Sequence, residues 1–380
     1  MKLSKIYSIA FLAYIIFKPF YFWKSGIPQI SDFILLLPVV TFPFLFKSKK
    51  FIELISTREI KLLSLFILYG VAVNLVVSLF NQNYEPLIYA SYLIFNLVTV
   101  LCFIYAFGGN DKAVVKIIFS VFSVFLLLSI ISFIHHEQAV RKSLTFNNPN
   151  QLASFVLIMI SFVGYFVFKE YEKLKTRFKI IFYIILLLGM YLIMLSLSFG
   201  AVPFIPAFIC LIVFVYHKRL IPFIFIAFFF SFILAVGWLY KNNPEFIDNL
   251  YNRVSQKDDY AYSTGFIAER GYDRIFNHPE YILFGAGEGV RDRFDSYLIT
   301  EDYQLELHST IGTVLFSYGF FGIILLVISC YRYIRDFPYV FILIIGMPYY
   351  LTHNVIRSPF FWLLLLSPLL YRVIYHGNKK

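Results

Sequence analysis

A histidine, His308, lies near the start of the otherwise apolar stretch ELHSTIGTVLFSYGFFG, which covers residues 306–322. An imidazole titrates near neutral pH, so His308 has the chemistry to take a proton from an attacking hydroxyl group or to orient it. Glu306 would orient the imidazole from a loop, or would lie in solvent. The alternative for the stretch is a polar helix N-terminus followed by two small residues, Gly319 and Gly322, at a helix contact.

Two arginines precede a glycine-rich turn in the segment AERGYDRIFNHPEYILFGAGEG, residues 268–289. A guanidinium group binds two phosphate oxygens at once, so we expect Arg270 to bind a phosphate, with Arg274 as the next candidate. A salt bridge to Glu269 or Asp273 is the alternative for Arg270. The glycines of the turn do not follow a predicted strand, as those of a dinucleotide site do, and are typical of a plain turn.

Further cationic side chains are candidate phosphate ligands elsewhere in the chain. Arg357 lies between the last two apolar runs, where contact with lipid headgroups is the alternative to a phosphate contact. The remaining candidates are Arg141, Arg291 and Arg293. No group of side chains in the sequence has the spacing of metal ligands, so we predict a reaction that needs neither a metal ion nor another cofactor.

The elements that must position these residues are membrane-spanning helices. Of the 380 residues, 60% are hydrophobic and 14% are charged, and the apolar residues fall in runs long enough to cross the hydrocarbon core. Because lipid offers no partner for backbone N–H and C=O groups, such runs predict helices. The sequence therefore predicts an all-α integral membrane protein of about twelve transmembrane helices, at residues 6–23, 28–46, 62–80, 87–107, 113–134, 151–168, 180–197, 201–216, 220–240, 309–331, 337–353 and 359–375.

The distribution of charge predicts the orientation. Lys and Arg concentrate in every second loop, whereas the short loops between them hold only Lys24, Arg141, Lys142 and Arg357. Positively charged loops stay in the cytoplasm, so both termini are predicted to be cytoplasmic. These loops also account for the net charge of +11, and we predict no nucleic-acid partner.

One predicted outer loop, residues 241–308, is far longer than a simple connection and is rich in acidic side chains. Long loops inside a compact fold are usually functional. Two amphipathic stretches within it, residues 244–254 and 268–281, predict short helices. We therefore predict a single membrane domain, with helices one to nine in residues 1–240, this loop, and helices ten to twelve in residues 309–380.

Three motifs, in their order along the chain, resemble the superfamily of O-antigen ligases and Wzy-type polysaccharide polymerases. LTFNNPNQLAS, residues 144–154, is similar to the asparagine-proline-asparagine start of a middle helix, for which we predict Asn150 as the N-cap. Residues 269–289 are similar to an arginine followed by a glycine turn. HSTIGTVLFSYGFFG matches the histidine motif of the superfamily at every defined position. The resemblance implies a GT-C-like helical bundle with His308 and Arg270 as catalytic residues.

The chain departs from the superfamily at one position. Ligases of the superfamily commonly carry an arginine in an S-x-S-R-G-A motif, where this chain has Phe199 within SLSFGA. That arginine is implied to bind pyrophosphate, so one phosphate ligand is missing here. The side chains that would have to replace it are Arg141, Lys142, Arg291, Arg293 or Arg357.

The resemblance implies glycosyl transfer from a polyprenyl-pyrophosphate-linked oligosaccharide at the outer, periplasmic face of the bacterial cytoplasmic membrane. The missing arginine favours a polymerase, which would extend repeat units of O-antigen, capsule or exopolysaccharide. The alternative is a ligase, which would transfer the glycan to a lipid A core. Membrane lipid, a chain-length regulator and a flippase are the implied partners. A flippase or other transporter is the alternative from another class. Internal repeats and mid-membrane polar residues would favour a transporter, and neither is evident in the sequence. The implied substrate-binding residues are Arg274, Arg291, Arg293, Arg141, Arg357 and Glu306.

Overall fold

The computed structural model describes residues 3–23, 28–110, 112–134, 141–216, 267, 270–290, 293–294 and 307–375. All regular secondary structure in these ranges is helical. Short 3-10 helices occur at Phe42–Lys47, Pro279–Tyr281 and Tyr331–Tyr333. The α-helices are α1 (Leu3–Phe17), α2 (Ile30–Ile34), α3 (Leu36–Thr41), α4 (Lys49–Ile55), α5 (Arg58–Asn81), α6 (Glu85–Phe107), α7 (Ala113–Ile134), α8 (Pro149–Glu170), α9 (Thr176–Ser196), α10 (Phe204–Tyr216), α11 (Asp273–Asn277), α12 (Thr310–Cys330), α13 (Phe337–Thr352), α14 (Pro359–Leu365) and α15 (Ser367–Tyr375).

In the described ranges, 7 helical segments are long and apolar enough to cross a membrane. They match the predicted second to seventh and tenth helices, which confirms the prediction of a helical, multi-pass membrane protein. The shorter apolar helices α1, α10 and α13 match the predicted first, eighth and eleventh. The predicted ninth helix lies outside the described residues, and the twelfth is divided into α14 and α15. The number of twelve and the GT-C-like arrangement therefore stay predictions.

Helix α8 lies at the centre of the bundle. Nearly every residue from Leu152 to Phe168 is buried, as expected of a helix that is apolar on all sides and enclosed by other helices. Helices α7 and α9 pack against α8 and against each other, while α13 and α14 contact α8 as well. Helix α5 packs against α6 and α12. The helices of the bundle thus share one apolar core, whereas the segment after Arg270 and the start of α12 pack in a second, smaller cluster, formed by Ile275, Ala286, Phe294, Leu307 and Phe316.

The long apolar stretch from Thr176 to Tyr216 is divided where the sequence predicts. Helix α9 ends at Ser196, and Leu197 adopts the left-handed conformation with φ 45° as its C-cap. The following turn leads to α10 and passes the end of α13, because a Cβ atom at Gly200 would lie 2.6 Å from Thr352 Oγ1. The SLSFGA motif is therefore a turn next to α13.

The start of α8 corrects one prediction from the sequence. Its N-cap is Asn148, whose side chain accepts a hydrogen bond from the Gln151 N–H at 2.9 Å, and Pro149 is the first helical residue. The prediction of Asn150 as the N-cap was wrong, because Asn150 lies inside the first turn. Its side-chain oxygen instead accepts a hydrogen bond from Arg141 at 2.7 Å.

Candidate functional site

Six residues, His353–Ser358, join α13 to α14; we call them the connector. Helix α13 ends because His353 takes an extended conformation, with φ −141° and ψ 141°. Helix α14 starts at Pro359, whose ring suits the first helical position. The last carbonyl groups of a helix have no partner within it. Those at the end of α13 and in the connector consequently accept hydrogen bonds from side chains elsewhere in the fold.

The two predicted catalytic residues, Arg270 and His308, lie on neighbouring segments of the chain beside the connector. Gly271 lies against Leu307, since a Cβ atom at Gly271 would be 3.3 Å from the Leu307 Cδ2 atom and 3.7 Å from its Cα atom. Arg270 directly precedes Gly271 in the chain, and His308 directly follows Leu307. The Arg270 guanidinium donates to the Thr352 carbonyl at 2.8 Å, whereas His308 is exposed. The structure therefore brings Arg270 and the backbone of His308 to the same place.

Helix α12, which follows His308, is fixed to the connector at its first turn. Ser309 caps it by accepting a hydrogen bond from the Gly312 N–H at 2.9 Å. The Thr310 N–H and hydroxyl both donate to the His353 carbonyl, at 3.0 and 2.8 Å. The Asn354 amide donates to the Thr313 hydroxyl at 3.0 Å. These bonds determine where the chain at His308 enters the site.

The glycine turn packs into a kink in α12. Gly319 leaves the helical conformation with φ 65° and ψ −172°. A Cβ atom there would overlap the Leu283 carbonyl oxygen and lie 2.6 Å from the Gly285 nitrogen. Backbone N–H groups of Ala286 and Gly287 donate to carbonyls of α12 at 2.8 and 2.9 Å. Gly319 was expected at a helix contact; instead it makes room for the backbone of the turn.

The turn presents a buried carboxylate, Glu288, to the connector. Arg357 donates to the Glu288 Oε2 atom through Nη2 at 3.0 Å and through Nε at 3.3 Å. The Tyr318 hydroxyl donates to the other carboxylate oxygen. The Arg357 guanidinium also lies over the ring of Tyr89, 4.2 Å from its centroid. Arg357 therefore belongs to a polar network inside the protein, and its position is not explained by contact with lipid headgroups.

Two further arginines, Arg274 and Arg293, lie close to this network. Arg274 is 3% exposed and lines a small cavity together with Glu288, Asn354 and Arg357. The guanidinium of Arg293 lies 4.5 Å from the ring centroid of Phe294 and donates to the Ala286 carbonyl. Arg293 thus holds the glycine turn, while Arg274 borders the same space as the connector.

Arg141 lies next to the turn that contains the SLSFGA motif. Its Nε atom donates to the Ser196 carbonyl at 3.1 Å, and its Nη2 atom to Asn150 Oδ1 at 2.7 Å. The carbonyl of Asn150 accepts from the Tyr349 hydroxyl at 2.7 Å. The Tyr349 ring is stacked on the ring of His353, with 4.3 Å between centroids. A series of contacts thus links Arg141 to the connector.

A larger cavity of about 320 Å³ lies on another side of the connector. Asn354 and Arg357 line both cavities, so the two spaces adjoin at these residues. Lys18 lines the larger one and forms a buried ion pair with Asp32 at 2.9 Å. The polar side chain of Gln151 contributes to the same wall. The cavity is therefore bordered by polar groups within an apolar bundle, and each of its two cations is paired with a carboxylate.

Three site residues emerge from the structure that the sequence reasoning missed: Glu288, His353 and Asn354. The sequence contained a weak signal for the last two, because THN interrupts two apolar runs. Glu288 gave no signal beyond its place within the glycine turn. Arg291 and Glu306, both predicted to bind substrate, lie outside the described residues.

The site combines an exposed imidazole, several guanidinium groups and a cavity at the break between two apolar helices. This arrangement can bind an anionic group, stabilise negative charge that develops on it, and accept a proton from a hydroxyl. No protein-family model matches the sequence, and no curated protein matches it.

Proposed function

We propose that the protein is a polymerase of lipid-linked oligosaccharide repeat units. It transfers a glycan from polyprenyl pyrophosphate to a sugar hydroxyl at the outer face of the bacterial cytoplasmic membrane. One observation carries the proposal: the chain at Arg270 and the chain at His308 meet at the connector. The connector also lines a cavity of about 320 Å³, to whose wall Lys18 and Arg357 contribute, each in an ion pair with a carboxylate.

The transfer forms one C–O bond and breaks another. The acceptor hydroxyl oxygen attacks the anomeric carbon of the donor, and the bond from that carbon to the pyrophosphate oxygen breaks with its electron pair on the pyrophosphate. The hydroxyl proton passes to the neutral imidazole of His308. Arg270 stabilises the negative charge that develops on the leaving group, and Arg274 contributes a second cation at the smaller cavity.

A ligase is the second candidate, and one observation favours it. Arg141 donates to the Ser196 carbonyl, in the turn that carries Phe199. A guanidinium is therefore present beside the position at which ligases of the superfamily have an arginine. The ligase differs from the polymerase only in its acceptor, which would be a lipid A core.

Deletion of the gene followed by electrophoresis of the surface polysaccharide tests the proposal. Loss of a polymerase leaves single repeat units on the cell surface. Loss of a ligase leaves long chains on the lipid carrier, and loss of a flippase leaves repeat units trapped inside the cell. Either of the last two results would overturn the polymerase assignment.

Complementation with variants tests the residues. His308→Ala and Arg270→Ala should abolish chain extension at normal protein levels. Matched controls are His278→Ala, whose imidazole is hydrogen-bonded to Glu280 at 3.3 Å, and Arg335→Ala, which replaces an exposed arginine. Full activity of both site variants would refute the assigned roles, as would equal losses in the controls.

A further inference from the structure

Three lysines line one pocket of about 570 Å³ at the end of the bundle opposite the connector. Lys5 comes from α1, Lys50 from α4 and Lys116 from α7, so three separate helices direct positive charge to one space. No acidic side chain is among the described residues that line the pocket. Its wall is completed by the backbone after α6 and by the apolar side chains of Ile9 and Leu12.

The pocket lies at headgroup depth. Helix α6 starts at Glu85, whose carboxylate accepts a hydrogen bond from the Val290 N–H of the glycine turn at 2.7 Å. The helix is 23 residues long and ends at Phe107, beside the pocket. A helix of this length extends roughly 34 Å, slightly more than the hydrocarbon core of a bilayer. The charge bias predicts that this end faces the cytoplasm, where the membrane leaflet is anionic.

Lys50 is held in place by the end of α6. Its ammonium donates to the Gly108 carbonyl at 2.6 Å and to the Tyr105 carbonyl at 3.3 Å. Both acceptors are neutral, and partial removal of the ammonium from solvent lowers the pKa of Lys50. An anion in the pocket would stabilise the charged form and reduce the repulsion among the three lysines.

The apolar wall indicates what kind of anion fits. Ile9 is 52% exposed on the helix that also carries Lys5, and Leu12 lies one turn further into the membrane-spanning region. A ligand with a phosphate at the lysines and a hydrocarbon chain along Ile9 and Leu12 would satisfy both parts of the wall. A soluble phosphate would use the lysines alone.

We propose that this pocket binds the phosphate group of an anionic phospholipid, whose acyl chain lies along α1. The site is separate from the transfer chemistry at the connector, so it stands or falls independently of the proposed function. Each lysine near an anionic membrane surface contributes roughly fivefold to affinity, so three contribute about a hundredfold at low ionic strength.

Native mass spectrometry of the full-length protein in detergent tests the proposal with phosphatidylglycerol and phosphatidylcholine as probes. We expect one retained phosphatidylglycerol that phosphatidylcholine does not replace. The triple variant Lys5→Gln/Lys50→Gln/Lys116→Gln should lose about a hundredfold in affinity for it. The matched control is Lys47→Gln/Lys49→Gln/Lys61→Gln, which removes the same charge at the same end but outside the pocket lining.

Two results would overturn the proposal. The first is equal retention of phosphatidylglycerol by the pocket variant and the control variant, which would place the lipid elsewhere. The second is that inorganic phosphate at millimolar concentration displaces phosphatidylglycerol, and that the acyl chain makes no difference to this displacement. This result would assign the lysines to a soluble anion. Retention by wild type that resists inorganic phosphate and is lost in the pocket variant supports a lipid site.

Discussion

The ion pair between Glu288 and Arg357 predicts a specific order of stability among three variants. Arg357→Gln leaves the Glu288 carboxylate, whose side chain is 4% exposed, without this cation. Glu288→Gln leaves the Arg357 guanidinium, whose side chain is 25% exposed and still contacts the ring of Tyr89. Because the carboxylate is less able to reach water, Arg357→Gln should reduce the free energy of unfolding more than Glu288→Gln.

The magnitudes follow from the burial of each charge. Removing one partner of a fully buried ion pair costs about 3–5 kcal/mol. The carboxylate left by Arg357→Gln keeps the Tyr318 hydroxyl as a donor, so we expect about 3 kcal/mol. Glu288→Gln keeps an oxygen for Tyr318 and leaves a partly hydrated cation, so we expect about 1–2 kcal/mol. The double variant leaves neither charge without its partner. Its loss of stability should therefore be about 2 kcal/mol smaller than the sum of the two single losses.

Titration of the purified protein with sodium dodecyl sulfate in mixed micelles, followed by circular dichroism, measures these differences. The control is the same cycle on Lys169 and Asp336, an ion pair of 3.1 Å whose side chains are 30% and 14% exposed. Its coupling energy should be smaller, because both charges keep more contact with water. Additive effects at Glu288 and Arg357, or a larger loss for Glu288→Gln than for Arg357→Gln, would refute the reasoning.

Two further predictions use the same titration. Gly109→Ala and Gly319→Ala both place a side chain on left-handed backbone, with φ of 69° and 65°. A Cβ atom at Gly109 would have no neighbour within 4 Å, whereas a Cβ atom at Gly319 would overlap backbone atoms of the glycine turn. Gly109→Ala should cost about 1 kcal/mol and Gly319→Ala more than about 3 kcal/mol, and equal losses would contradict the assigned role of the kink. Asn148→Ala should reduce the free energy of unfolding by about 1 kcal/mol through loss of the α8 cap, whereas Asn148→Asp should retain most of that stability. Losses of equal size in the two variants would argue against a capping role.

Hydropathy predicted the long helices well, because a membrane requires long apolar runs and imposes little else on them. The break after Ser196 was also predictable, since the apolar stretch is too long for one span and its SLSFGAVPFIP segment contains a glycine and two prolines. The start of α8 was not, because NNPN offers two asparagines as caps. Because Asn148 is the N-cap, the Asn150 side chain instead accepts a hydrogen bond from Arg141. Nothing local in the sequence reveals that contact.

The candidate site was predictable in its residue types and only partly in its contacts. Motif order singled out Arg270 and His308, and the structure places their backbone segments together. The pairing of Glu288 with Arg357 depends on two residues 69 positions apart. Charge alone did not distinguish Arg357, which lies inside this network, from an arginine that contacts lipid. Only the packing of the glycine turn against the kinked α12 makes that distinction.

The end of α13 explains why such distant segments meet at the connector. The last carbonyl groups of a helix have no partner within it, and at the end of α13 groups from other elements supply the donors. Thr352 accepts from Arg270, His353 from Thr310, and Ile356 from the indole of Trp362. The break in the helix therefore supplies the acceptors that position Arg270 and the chain at His308, and the connector that follows it lines the cavity of about 320 Å³.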